Sequence, residues 1–308
     1  MAISEDERKK RRADKIVQHA LGMAGKEAQE VGSITFSPRC TLLATLPHRD
    51  PGNLPFFVRR NGDYTLTIQP GTALALDQET GLMLGYPFGA IPRLILAWLT
   101  TEAVRTKSKT IYLGESLADF LRQLKLGNHG GVRGDITRLR NHLERLFGAT
   151  ISIHYHGARR KKSERLSVMH QTFYWWDPEQ NMKKDEPQRA AIVLAEEFYR
   201  EIIDCPVPLD LRIIHALKHS SLALDIYSWL TYRMSYLKKK TLIPWASLAL
   251  QFGSDYARLR AFKVHFIEQL TVVKALYSHA RFSTESEGGL TLYPSRPQVL
   301  KVPKDNLL

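Results

Sequence analysis

The chain has 308 residues, 44% hydrophobic and 24% charged, with a formal net charge of +13. That length accommodates two ordinary domains, each with its own core, and the composition is that of a globular chain without low-complexity tracts. The longest apolar run, near Ile91–Leu99, is interrupted by Pro92 and Arg93 and is too short to span a bilayer, and two distant cysteines, Cys40 and Cys205, exclude a disulfide scaffold or a common zinc motif.

Residues 1–32 read as a basic arm, densest at Glu7–Lys15 (ERKKRRADK). Ile16, Ala20 and Met23 follow at helical spacing, so the choice lies between a short amphipathic helix and a frayed solvated terminus, with a basic arm on DNA or a partner-binding helix as the functional alternative. No apolar run follows the basic stretch, so no secretory signal is expected; with so few cysteines, a reducing, cytoplasmic setting is. From Phe36 to Leu84 the chain is rich in strands and turns: Tyr64–Ile68 alternates like a strand, and Thr72–Leu76 is expected to pair with it.

A repeated order of elements then appears. Ile91, Leu94, Ile95, Trp98 and Leu99 make a helical stripe; a strand at Thr110–Leu113, a helix at Glu115–Leu124, a glycine-rich turn (Gly127–Gly134) and a helix to about Phe147 follow. Alternating strands then surround a basic loop, Gly157–Arg165. The polar stretch Asp177–Gln188, with a proline near each end, reads as an inter-domain linker. Beyond it come helices near Leu209–Lys218 and Ser221–Tyr236, a strand at Thr241–Ile243, helices at Pro244–Phe252 and Tyr256–Leu276, and a hairpin to Tyr293. Ser116-Leu-Ala118 is echoed by Ser247-Leu-Ala249, and Arg138-Leu-Arg140 by Arg258-Leu-Arg260, in the same order. The expectation is an α+β chain with two tandem winged-helix domains, at 33–176 and 191–308, joined by a linker at 177–190.

A helix-turn-helix reads DNA by laying its second helix in a major groove. In the first unit Val132, Ile136, Leu139, Leu143, Leu146 and Phe147 face the core. At 100° per residue Thr137, Arg138, Asn141 and Arg145 fall on the opposite side, with Arg140 nearer the flank. Arginine can pair with guanine and asparagine with adenine, so this face has base-reading chemistry. Arg133, closing the glycine-rich turn, and the basic run Arg159, Arg160, Lys161 and Lys162 suit phosphate. In the second unit Leu259, Phe262, Phe266, Leu270 and Val273 are the expected core stripe. Its outward side offers Ala257, Ala261 and Val264 for thymine methyls or a protein partner, with Ser254, Tyr256, Arg258, Arg260 and Lys263 as DNA contacts and His265 on the flank. Glu285 and Glu287 make its hairpin tip a poor phosphate ligand.

Other readings are weaker. The glycine cluster lacks GxxxxGK[ST], so no nucleotide or other cofactor is expected, and no metal. His154-Tyr155-His156, with Tyr236 and Lys239, faintly resembles a metal-and-tyrosine nicking site, but the histidines fall on a strand and the tyrosine ends a helix in the other unit. A membrane-surface protein would carry its charge on one amphipathic anchor. A transcriptional repressor remains the alternative among DNA-binding proteins.

The segment Tyr86–Ser108 (YPFGAIPRLILAWLTTEAVRTKS), with Leu113-Gly-Glu-Ser-Leu117 and Gly134-Asp-Ile-Thr-Arg-Leu-Arg-Asn141, resembles the plasmid-encoded RepA replication initiator family over about Ser33–Pro297. The resemblance implies a non-enzymatic initiator that binds repeated sites on double-stranded plasmid origin DNA. Such proteins help open an A·T-rich segment and recruit the host initiator, helicase and polymerase. They also repress their own promoter and limit copy number, and a homodimer is among the assemblies the resemblance allows.

Overall fold

A computed structural model describes residues 4–73, 81–127, 134–157, 160–173, 190–253 and 256–300. The chain begins with α1 (Glu5–Met23), then β1 (Ile34–Pro38), α2 (Arg39–Leu43), β2 (Phe57–Asn61), β3 (Tyr64–Gln69), β4 (Gly71–Ala73) and β5 (Leu82–Gly85). There follow α3 (Ala90–Thr106), β6 (Thr110–Gly114), α4 (Leu117–Gln123), α5 (Asp135–Gly148), β7 (Thr150–Gly157), β8 (Arg160–Ser167), β9 (Met169–Phe173) and β10 (Ala190–Leu194). The remainder is α6 (Glu196–Asp204), β11 (Pro206–Asp210), α7 (Leu211–Leu217), α8 (Ser221–Met234), β12 (Thr241–Pro244), α9 (Trp245–Phe252), α10 (Leu259–Leu276), β13 (Arg281–Ser283) and β14 (Gly289–Tyr293). The result is a mixed α+β molecule with small antiparallel sheets.

Two of these sheets share one plan. In the later one the order is β12-β14-β13, around the helix pair α9–α10; in the earlier one it is β6-β10-β9, around α4–α5. In each, the strand before the helix pair lies beside the last strand of the hairpin that follows it. Between α5 and β9 the earlier unit inserts an extra hairpin, β7–β8, which joins β2 and β3 in a four-stranded sheet of order β2-β3-β7-β8.

This plan relocates two expected features. Phe173 and Ala191 are antiparallel partners in one sheet. The stretch expected as a linker, 177–190, therefore departs from β9 and returns as β10 beside it; up to residue 189 it lies outside the described residues. Residues 191–194, expected in the second unit, pair with β6 and β9. The strand expected to pair Thr72–Leu76 with Tyr64–Ile68 is also different: β4 pairs with β5, while β3 pairs with β2 and β7. Strand alternation marks a half-buried strand but not its neighbour, which tertiary packing chooses.

Local chemistry explains the helix boundaries. Ser116 caps α4, accepting from the Asp119 backbone N–H at 3.1 Å. In the second unit Arg258 is extended (φ −132°, ψ 133°), so α10 starts at Leu259 and not at Tyr256. Gly253 ends α9 where a Cβ would lie 2.4 Å from the Phe262 ring, so the tight helix pair requires a glycine there. α3 is apolar on nearly all sides and correspondingly buried; Trp98 meets Phe120 of α4 edge-on at 4.9 Å.

The two helix-pair regions are joined by buried polar contacts. β1 pairs with β11 across the chain. Arg93 of α3 donates through Nε and Nη2 to the two oxygens of Asp225 on α8, both at 2.7 Å, and its remaining N–H groups reach the carbonyls of Leu46, Pro47 and Gly89. His48 Nε2 meets Asp225 Oδ2 at 2.7 Å. Gln251, at the end of α9, donates to the carbonyls of Leu42 and Leu43, and Thr45 donates to the Gln251 carbonyl.

Candidate nucleic-acid interface

The inward face of α5 is set by Leu139, Leu143, Leu146 and Phe147, all buried, with Ile136 partly so. This leaves Arg138 and Asn141 exposed near the start of the helix. Arg138 lies 3.5 Å from Asp135, one turn earlier, and its side chain is 59% exposed. Such a weak, solvent-facing pair leaves the guanidinium free to exchange partners. Thr137 and Arg140 are half-buried. Arg140 faces Glu144, whose carboxyl burial pushes up against the opposing pull of that cation.

Arg145, expected on the same outward face, is engaged elsewhere. Its guanidinium contacts Asp50 at 2.9 Å and lies 5.2 Å above the Phe88 ring. A Cβ on Gly85, at the end of β5, would come 3.3 Å from it. The β4–β5 hairpin packs against α5 and closes over its C-terminal half. A helical wheel cannot anticipate a cover supplied by chain fifty and more residues earlier. His142, between these arginines, has its pKa pushed down to about 4 by burial, then by the charges of Arg145 and Arg138.

The described part of the basic run after α5, from Arg160 onward, is a strand and not a loop. Arg160, Lys161 and Lys162 begin β8, standing opposite Gly157, His156 and Tyr155 of β7. Arg165, further along β8, is exposed. Among the described residues β8 has a partner on one side only, at the edge of its sheet, and lysines on an edge strand also discourage strand-to-strand aggregation. Arg133 and Arg159 lie outside the described residues, as does Ser254.

In the second unit Phe262, Phe266, Leu270 and Val273 are buried as expected, but Leu259 is 48% exposed. The late start of α10 puts Leu259 in its first turn, on the outward side with Ala257, Ala261 and Val264. Leu250 of α9 is also exposed, so the outward surface is more apolar than the helix pattern suggests. Arg258 and Arg260 are exposed, whereas the Lys263 ammonium lies 5.2 Å over the Trp245 ring. Tyr256 packs against Phe262 and His265, at 5.7 and 5.9 Å between ring centroids.

The residues of the weaker readings occupy ordinary positions. His154 and His156 stack on one side of β7, 6.3 Å apart. The Tyr236 hydroxyl follows α8 and accepts from Arg233 at 2.8 Å. Among the described residues no group of three or more His, Cys, Asp or Glu could hold a metal ion. Cys40 is buried, and burial pushes its thiol up to about 12. No helix among the described residues is long and apolar enough to cross a membrane.

Fold and surface together define an α+β protein with two helix pairs, each with one exposed helix face. The crystal structure of selenomethionine derivatives of domains 2 and 3 of RctB is similar in fold: TM-score 0.51 at 14% identity, over 85% of this chain and 99% of that one. A second RctB structure, of domains 2–3, gives a TM-score of 0.46 at 13% identity, over 81% and 93% of the two chains. No curated protein matches. The family model for plasmid-encoded RepA protein matches residues 86–246, just over half of the sequence. The chain belongs to that family.

Proposed function

We propose that this protein is a plasmid replication initiator that reads repeated sites in double-stranded origin DNA through two winged helices. The first is β6–α4–α5 with β9–β10 as its wing, and the second is β12–α9–α10 with β13–β14. The carrying observation is the shared strand order of the two sheets around helix pairs whose second helices expose Arg138 and Asn141 in one case and, in the other, Arg260 with Arg258 just before the helix. Family membership supplies the plasmid context.

In this reading the two units differ in role. The first reads bases with Arg138 and Asn141, while Arg133, Thr137, Arg140 and the run Arg159–Lys162 contact phosphate or position the helix. The second offers Leu259, Ala261 and Val264 to thymine methyls, with Ser254, Tyr256, Arg258, Arg260 and Lys263 around them. Paired binding strains the DNA and favours opening of a neighbouring A·T-rich segment, where the host initiator, helicase and polymerase assemble. The protein acts in the bacterial cytoplasm without a cofactor, represses its own promoter and limits copy number.

The test is to supply the gene in trans to a plasmid bearing the origin but no initiator, and to footprint the purified protein on that origin. Replication together with protected repeats is expected. Protected repeats without replication would instead make the protein a repressor.

A further inference from the structure

A second cationic surface lies outside both helix pairs, assembled from three distant parts of the chain. α1 presents Arg12, Lys15 and His19, whose spacing holds them within about 60° around the helix. The helix is held in place by Ile16, 6% exposed, with Ala20 and Met23 packed on the same core, and it rests on α7 and α10. The end of α7 adds Lys218 and His219, and the turn after α4 adds Lys125, whose carbonyl accepts from the Lys218 ammonium. These charges feel one another. Burial and then the charges of Lys125, Lys218 and His19 push His215 down to about 4, and burial and then Lys218, Arg12 and Lys15 lower His219.

Among the described residues none of Arg12, Lys15, Lys125 and Lys218 is ion-paired with a carboxylate. Like charges held together without counter-charge repel in the free protein, and that cost is relieved when a polyanion occupies the surface. Lys125 identifies the polyanion, because it belongs to the turn leading from α4 towards α5: the surface starts where the connection to the proposed reading helix starts. Lipid fits less well. The exposed apolar residues of α1, Val17 and Leu21, lie more than about 100° around the helix from these cations, so the cationic face has no apolar anchor.

We propose that Arg12, Lys15, Lys125 and Lys218 form a backbone clamp for duplex DNA, gripping phosphates beside the segment read by α5. The proposal rests on the reading of this chain as a DNA-binding protein. It gives the N-terminal helix a task distinct from base recognition: affinity without sequence choice.

The experiment compares the full chain with the triple variant Arg12→Gln/Lys15→Gln/Lys218→Gln, by fluorescence anisotropy on an origin duplex and on a random duplex of equal length. Three lost phosphate contacts should make the wild-type loss of affinity between about 50 and about 200 mM salt about 40-fold larger than that of the variant, on both duplexes. The charge-preserving set Arg12→Lys/Lys15→Arg/Lys218→Arg should restore the wild-type slope. Lys15→Gln alone should change the ratio about 3-fold, so the test survives if the triple variant folds poorly. An unchanged salt slope, with wild-type DNA binding intact, overturns the clamp and leaves the DNA-binding reading standing. Loss of binding to phosphatidylglycerol vesicles with unchanged DNA affinity also overturns it, in favour of a membrane contact. A wild-type chain that binds neither duplex removes both readings at once.

Discussion

At the scale of single residues, the contact between Arg93 and Asp225 illustrates how this protein treats buried charge. Both side chains are nearly buried, at 9% and 7% exposure, and all five guanidinium N–H groups find acceptors. Burial alone would raise the Asp225 carboxyl, but the Arg93 charge and the hydrogen bonds from His48 and Arg93 overcome it and hold the group below its ordinary value. Such a pair adds little over a well-packed apolar one, yet removing one partner strands the other. Asp225→Asn is therefore expected to destabilise the fold by about 3–5 kcal/mol, measured by urea unfolding. Arg138 and Asn141 are the opposite case, exposed and tied to little. Replacing either by Ala should leave stability within about 0.5 kcal/mol. It should cost about 1–3 kcal/mol of binding to the proper site and relax base choice, as read by competition with point-changed duplexes.

At the scale of elements, helix faces were the most legible feature of the sequence. Five apolar positions, Ile136, Leu139, Leu143, Leu146 and Phe147, define the inward face of α5, because only one side of an exposed helix meets the core, while Val132, expected on the same stripe, lies outside the described residues. Strand partners were not legible. β7 and β8 form a basic hairpin directly after the second helix, where the sequence suggests the partner of β6. β6 pairs instead with β10, so β9–β10 corresponds to β13–β14 of the later sheet, and the extra hairpin extends the sheet begun by β2 and β3. Nothing in the alternation of β10, buried at four of its five positions, says which strands it will lie between. The basic start of β8 still carries a prediction. Changing Arg160, Lys161 and Lys162 to Gln should weaken specific and random DNA alike and lower the salt slope by about 2–3, measured by titration at several salt concentrations. A loss confined to the specific site would instead place this edge strand among the base readers.

For the whole molecule, the two helix pairs are not beads on a flexible tether. The strands β1 and β11, the Arg93–Asp225–His48 contact and the Gln251 bonds tie chain from both halves together. If both helix pairs read DNA as proposed, this arrangement presents them at a set spacing, whereas a tether's length would otherwise govern their cooperation. The histidines set the acid limit of this assembly. Burial lowers His48, and it lowers His142 and His215 to about 4, against an ordinary value of 6.5. Between those values the unfolded chain binds protons that the folded chain refuses, so stability is full above about pH 6.5 and falls as the pH drops towards 4. Thermal melts across that range should show a declining Tm, and His142→Gln with His215→Gln should flatten the decline.

The sequence by itself determined the helix periods and the cationic character of the surface, together with the motifs of the RepA family. These are local or compositional properties, and each is expressed within about one or two turns of chain. Tertiary structure alone decided the rest. It set β10 beside β6, engaged Arg145 with Asp50 and Phe88, exposed Leu259, and docked α1 against α7 and α10. Each of those outcomes depends on which distant segment covers a surface, and covering is settled by the packing of the whole core.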